Sequence, residues 1–287
     1  MSNNNAKSFG SSDGLSPVDG LWARMESIEA NATVIISKHL QDFAEPFKNA
    51  YEAGVIVPNL KPAISPELNL QCSALFLKRA LSDLRGVWVL LIRGYTSQAA
   101  SVAASLHECA LATICLAQSK QNVAKFLADP NGELPWQPIE MARMVVRDTG
   151  KVLSNKDYED YWRALHAHYV WLCQIKHAAH SSVIHDTSAT SIDGKGYVVM
   201  AMPNIEEADT CVKAGIALKS LLRILDCIES FAKALGFTNK LPDECHFAER
   251  VQLARKYSWE AFQPFLKSPS PISIARSRFT KKYPPSK

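Results

Sequence analysis

The sequence predicts an all-α fold, a helical bundle of about seven helices with a small β-hairpin insertion near residues 188–202. Three observations carry that expectation. Apolar residues recur at threes and fours through most of the chain, the helical period. Proline and glycine gather between the periodic runs, as in Gly54–Pro66 and Asp129-Pro130-Asn131-Gly132. One short stretch, Tyr197–Met202, is β-prone, and Asp193-Gly194 just before it is a favoured hairpin turn.

Taken in order, Leu21–Ala53 is the first periodic run, with Pro46 placed to kink or end it. Gly54–Pro66 holds three prolines and reads as a crossing loop. Glu67–Ile92 is the second long helix, broken at Arg93-Gly94. Thr96–Gln118 is rich in alanine and serine, which lets neighbouring helices approach closely. Pro138–Thr149 is a shorter helix, and Asn155-Lys156-Asp157 caps the next, which runs to about His185. Asn204 opens a long helix that Gly236 closes, and Pro242–Phe265 forms the last. The expected organisation is a disordered N-terminus over 1–20, one helical domain over 21–266 and a flexible basic tail over 267–287.

Composition narrows the function. Hydrophobic residues make up 47% and charged residues 21% of the 287, enough for a real core. The net charge is +4, but six basic residues and no acid lie between Lys267 and Lys287. Without that tail the body carries about −2, so charge alone does not make it a nucleic-acid binder. The seven cysteines are scattered singly, which suits reduced thiols in a cytoplasm. The N-terminal stretch lacks the apolar core of a signal peptide, and the longest unbroken apolar run, Val87–Ile92, is far too short to span a bilayer. The expectation is a cytoplasmic protein with no membrane association. No glycine-rich phosphate cradle, G-x-S-x-G elbow, H-E-x-x-H or E-x-x-H occurs, so no cofactor is expected. Any chemistry must come from side chains on packed helices.

The stretch Leu165–His185 holds five of the eight histidines. At about 100° per residue, Trp162, His166, Tyr169, Cys173, His177, His180 and Ile184 share one face, flanked by Leu165, Leu172, Lys176 and Val183. Three readings fit this strip. Its histidines are interior groups bonded to backbone or to an acid, with Lys176 reaching outward. Alternatively, His177 and His180 transfer protons while Lys176 holds an anion. A third reading has Cys173, His177 and His180 binding a metal, with the fourth ligand unmarked. A separate R-x4-H pattern, Arg163 to His168, could stabilise and protonate a phosphodiester, although on a regular helix its ends lie about 140° apart. Arg93 and Glu108 are charges in unusually apolar helices and should pair, with each other or with the strip, because unpaired burial is costly.

Arg93-Gly94-Tyr95, Ala99-Ala100 and Ser105-Leu106-His107-Glu108, followed about 70 residues later by His180-Ser181-Ser182, are similar to a family of bacterial helical proteins. Those proteins carry an arginine–glycine helix break, an alanine-rich helix leading into Ser-Leu-x-Glu, and a later His-x-Ser. They resemble in turn the HEPN (higher eukaryote and prokaryote nucleotide-binding) superfamily, helical bundles that often dimerise. Ala104 stands where the family carries an arginine, and Ala164 where active HEPN ribonucleases carry a polar residue. The resemblance implies a homodimeric ribonuclease or nucleotide-binding effector of a bacterial defence or toxin–antitoxin system, with RNA, a nucleotide or a protein from the same operon as partner. It implies His177 and His180, or Arg163 and His168, as the catalytic set, Lys176 and Arg93 as phosphate holders and Glu108 as their orienter. The other class is a non-catalytic interaction or assembly module whose Arg–Glu–His cluster only fixes the core.

Overall fold

A computed structural model describes residues 20–61, 67–147, 154–176, 191–192, 195–196, 203–205, 207–238 and 240–267. Among these the chain forms an all-α bundle of nine helices, two more than the periodicity predicts. They are α1 Leu21–His39, α2 Ala44–Ile56, α3 Leu68–Ile92, α4 Thr96–Ala117, α5 Lys120–Leu127, α6 Pro138–Arg147, α7 Asn155–Lys176, α8 Glu207–Ala234 and α9 Phe247–Phe262. Ser191–Ile192 pairs antiparallel with Lys195–Gly196, and the remainder of the expected 188–202 insertion lies outside the described residues. So do the expected disordered N-terminus, apart from Gly20, and the basic tail after Lys267.

The two additional helices have local causes. The run Leu21–Ala53 divides because Leu40 leaves helical geometry (φ −107°, ψ 11°), and a single 3-10 turn, Gln41–Phe43, intervenes. Leu40 and Phe43 are both fully buried, so the break is held in place by packing. Pro46 then falls in the first turn of α2, where its missing N–H is no loss, and it starts a helix instead of ending one. The eight-residue α5 is capped by Ser119, whose hydroxyl accepts from the Asn122 N–H at 3.2 Å. Ser154, not Asn155, caps α7: its Oγ accepts from the Asp157 N–H at 3.1 Å.

α4 is the centre of the bundle. It packs along α3 and against α6, α7 and α8, while α8 also meets α2, α3 and α9. Ala99, Ala100, Ala103 and Ala104 are buried, and these small side chains are what allow the close approach of neighbours. Among the described residues α4 is the one helix long and apolar enough to cross a bilayer, and 72% of that window is buried inside the bundle. All seven cysteines are free.

Gly94 makes the α3–α4 corner. Its N–H donates to Leu91 O at 3.0 Å and the Tyr95 N–H to Leu90 O at 2.9 Å, the paired bonds of a Schellman ending with glycine in the left-handed region (φ 86°). The corner also accepts a distant strand of chain, because the Asn204 N–H donates to Gly94 O at 2.9 Å. Asn204 lies ahead of the helix, and α8 starts at Glu207. A Cβ on Gly94 would sit 2.9 Å from Pro203 Cβ and 3.1 Å from Asn204 N. Gly94→Ala is expected to destabilise the protein by about 2–4 kcal/mol, combining left-handed strain with the clash. Urea unfolding measures it, and a loss below 1 kcal/mol would mean that the corner yields freely.

Candidate functional site

The α7 strip meets α4 and α8 in a cluster that is polar and rich in histidine. Trp162, Leu165, Leu172 and Ile175 bury the apolar face of α7. Beside them His166, Tyr169 and Cys173 are half-buried. The Tyr169 hydroxyl donates to Glu108 Oε1 at 2.6 Å, which fixes the tyrosine ring between two imidazoles. Its centroid is 5.8 Å from that of His107 on α4 and 6.1 Å from that of His166. Burial, the Glu108 carboxylate and the Cys173 thiol all push the Tyr169 phenol above its ordinary range.

From α8 come Lys219 and Arg223, one helical turn apart. The Lys219 ammonium lies over the Trp171 ring, 5.2 Å from its centroid. α7 and α8 come close here because position 215 is glycine: a Cβ there would sit 3.3 Å from Trp171 Cη2. Arg223 is 7% exposed and donates from Nη1 to Asp226 Oδ2 at 3.1 Å. Asp226 is shared with Arg255 of α9, which also reaches Glu229 at 3.1 Å. Three buried nitrogens of the cluster, His107 Nε2, His166 Nδ1 and Arg223 Nε, make no hydrogen bond among the described residues. Buried donors and acceptors are rarely left so, since each costs about 1–3 kcal/mol.

Electrostatics sets the protonation of the cluster. Burial, then the charges of Arg223 and neighbouring groups, holds His107 well below the ordinary histidine range. Burial together with Lys219 and Arg223 brings His168 down to about 4. Lys219, desolvated and facing Arg223, falls to about 8. Near neutral pH His107 and His168 are therefore neutral, in a cluster that also holds two cations.

That arrangement makes stability depend on pH. Both histidines are harder to protonate folded than unfolded, so between their folded values and about 6.5 the unfolded chain binds more protons. Their stabilising contribution is present above pH 6.5 and is lost as pH falls towards about 4. Urea unfolding midpoints should drop between pH 7 and pH 5, and His168→Gln should flatten that slope. An identical slope in the variant would remove His168 from the account.

The sequence-predicted residues divide. Glu108 and His168 belong to the cluster. Arg163 does not: it is exposed, pairs with Glu159 at 2.8 Å and lies over the Trp162 ring. Within one chain the R-x4-H pair is thus split, as its 140° separation on the helix requires, and the cations whose charges act on His168 are Lys219 and Arg223. Arg93 is likewise elsewhere. Its guanidinium is 3.7 Å from Glu29 of α1, whose carboxylate also accepts from the Tyr95 hydroxyl, so it pairs with neither Glu108 nor the strip. Lys176 is exposed at the end of α7. His177 and His180 lie outside the described residues. Among the described residues no three His, Cys, Asp or Glu side chains are grouped to hold a metal ion.

Sequence reading missed His107 as a site residue and both α8 cations. A signal was present: Lys219 and Arg223 stand four apart within GIALKSLLRILDCI, where like charges repel and the surroundings are apolar. Comparison with family models, with curated proteins and with solved structures finds no match to this chain.

Proposed function

We propose that this chain is a cytoplasmic, HEPN-like, metal-independent endoribonuclease, acting as a homodimer in a bacterial defence or toxin–antitoxin setting. The observation that carries the reading is the cluster itself, in which the imidazoles of α4 and α7 meet Lys219 and Arg223 of α8, with burial and those two charges holding His168 below its ordinary range. Cleavage of RNA without a metal needs a base for the 2′-hydroxyl proton and positive charge for the phosphorane. His168 supplies the first. Its neutral ring takes the 2′-OH proton as that oxygen attacks phosphorus and the bond to the 5′-oxygen breaks. Lys219 and Arg223 offset the charge that gathers on the phosphate oxygens. Glu108 holds Tyr169, and through it the His107 and His166 rings, in register. His177 and His180, just beyond the described end of α7, are the assigned acids for the leaving 5′-oxygen.

A second reading is favoured by one observation: His107 is 3% exposed and Arg223 is 7% exposed. In that reading the cluster fixes the packing of α4, α7 and α8 in a non-catalytic interaction module. Cleavage of labelled total RNA by purified protein separates the two. Cleavage that His168→Ala abolishes, with the fold intact, supports the nuclease. No cleavage by the unaltered protein, with His168→Ala destabilised, supports the module.

A further inference from the structure

A cleft between α2 and α3 shares no lining residue with the histidine cluster. Phe47 and Tyr51, one turn apart on α2, face Leu84, Arg85 and Trp88 of α3 across a cleft of about 290 Å³. The floor is apolar and ordered: Phe47 and Leu84 are buried, and the Phe47 and Trp88 rings pack at 4.9 Å with a 35° tilt. Tyr51 is 40% exposed, which leaves a ring at the mouth. The rim is positive. Glu52, the carboxylate lining the cleft, is taken by Arg250 of α9, whose guanidinium also reaches Asn49 Oδ1 at 3.4 Å. Lys48 has only a loose, exposed pairing with Glu45 at 3.8 Å. Arg85 is exposed, and among the described residues no acid pairs with it.

We propose that this cleft binds a small aromatic anion, one or two flat rings carrying a single carboxylate or phosphate. The ring would lie among Tyr51, Phe47 and Trp88, where offset and edge contacts add to area burial. The anionic group would meet the Arg85 fork, with Lys48 beside it. The volume sits at the small end of ligand pockets, which suits a ligand of one or two rings. This site is independent of the nuclease reading.

The test is calorimetric titration of the full chain with indole-3-acetate and with phenyl phosphate, against tryptamine as a cation of similar shape. Both anions, or one of them, should bind at least about tenfold more tightly than tryptamine, and which one binds distinguishes carboxylate from phosphate. Arg85→Gln should weaken the anion about tenfold or more. Tyr51→Ala, an exposed position that leaves the core intact, should weaken it as well. His168→Gln should leave it unchanged. Equal binding of tryptamine, binding indifferent to Arg85→Gln, or no binding at millimolar concentration would overturn the proposal. Loss of binding in His168→Gln with none in Arg85→Gln would move the ligand to the histidine cluster and equally overturn it.

Discussion

Replacing Lys213 with methionine is expected to cost about 3–5 kcal/mol of stability, the range for breaking a buried ion pair at one partner. Lys213 has no exposed surface, and its ammonium sits on the carboxylate of Asp209, which is 2% exposed. The same carboxylate accepts from the Thr96 hydroxyl at the start of α4. Methionine fills much of the volume and removes the charge, so the buried Asp209 carboxylate loses its cation and keeps the Thr96 hydroxyl. The double variant Lys213→Met/Asp209→Leu removes both charges, and with them the desolvation that the pair had to offset, so it should recover much of the loss. Urea unfolding of wild type, single and double variants measures both effects. A double variant as unstable as the sum of two singles would mean that the charges do not act as a pair.

For the proposed nuclease, His168→Ala should slow single-turnover cleavage of labelled RNA by about 10²–10⁴-fold, the range for losing one general base. The pH profile is more telling than the loss. Activity needs His168 neutral, hence pH above about 4, and Lys219 charged, hence pH below about 8. The rate should therefore rise through about 4 and fall on the alkaline side, where the acid histidine losing its proton and Lys219 losing its charge through about 8 both contribute. Lys219→Arg, charged at every accessible pH, should remove the part of the fall centred at about 8. An alkaline limb that persists unchanged in Lys219→Arg would assign that titration to another group.

The parts of the fold that were legible are those set by local chemistry. Gly94 and Gly236 both close helices with the paired bonds of a Schellman ending, Gly236 N–H to Lys233 O and Phe237 N–H to Ala232 O. Both needed only a glycine after a periodic run to be found. The break at Leu40 was hidden because its cause is packing: a leucine and a phenylalanine drawn into the core across an otherwise continuous period. The helix α5 was hidden by its length. For the candidate site, helical geometry placed His166, Tyr169 and Cys173 on one face, and Glu108 was singled out as a charge needing a partner. Which partner it took was not legible, because the pairing of α4 with α7 and α8 is tertiary. The same gap sent Arg93 to Glu29 and put Lys219 and Arg223 where Arg163 was expected.

The corner at Gly94 bears on the order of folding. The α3–α4 hairpin joins neighbours in the chain and can form early, whereas Thr96 and Asp209 are 113 residues apart when they meet. Joining them closes a long loop, an entropic step that later contacts must repay. Asn204, bonded to Gly94 O beside that junction, is tied to the slow half of the process. Its amide should exchange with solvent hydrogen only when α8 leaves α4. The exchange rate at this one position then reports the opening of the whole domain, while amides in the first turn of α1 report fraying alone.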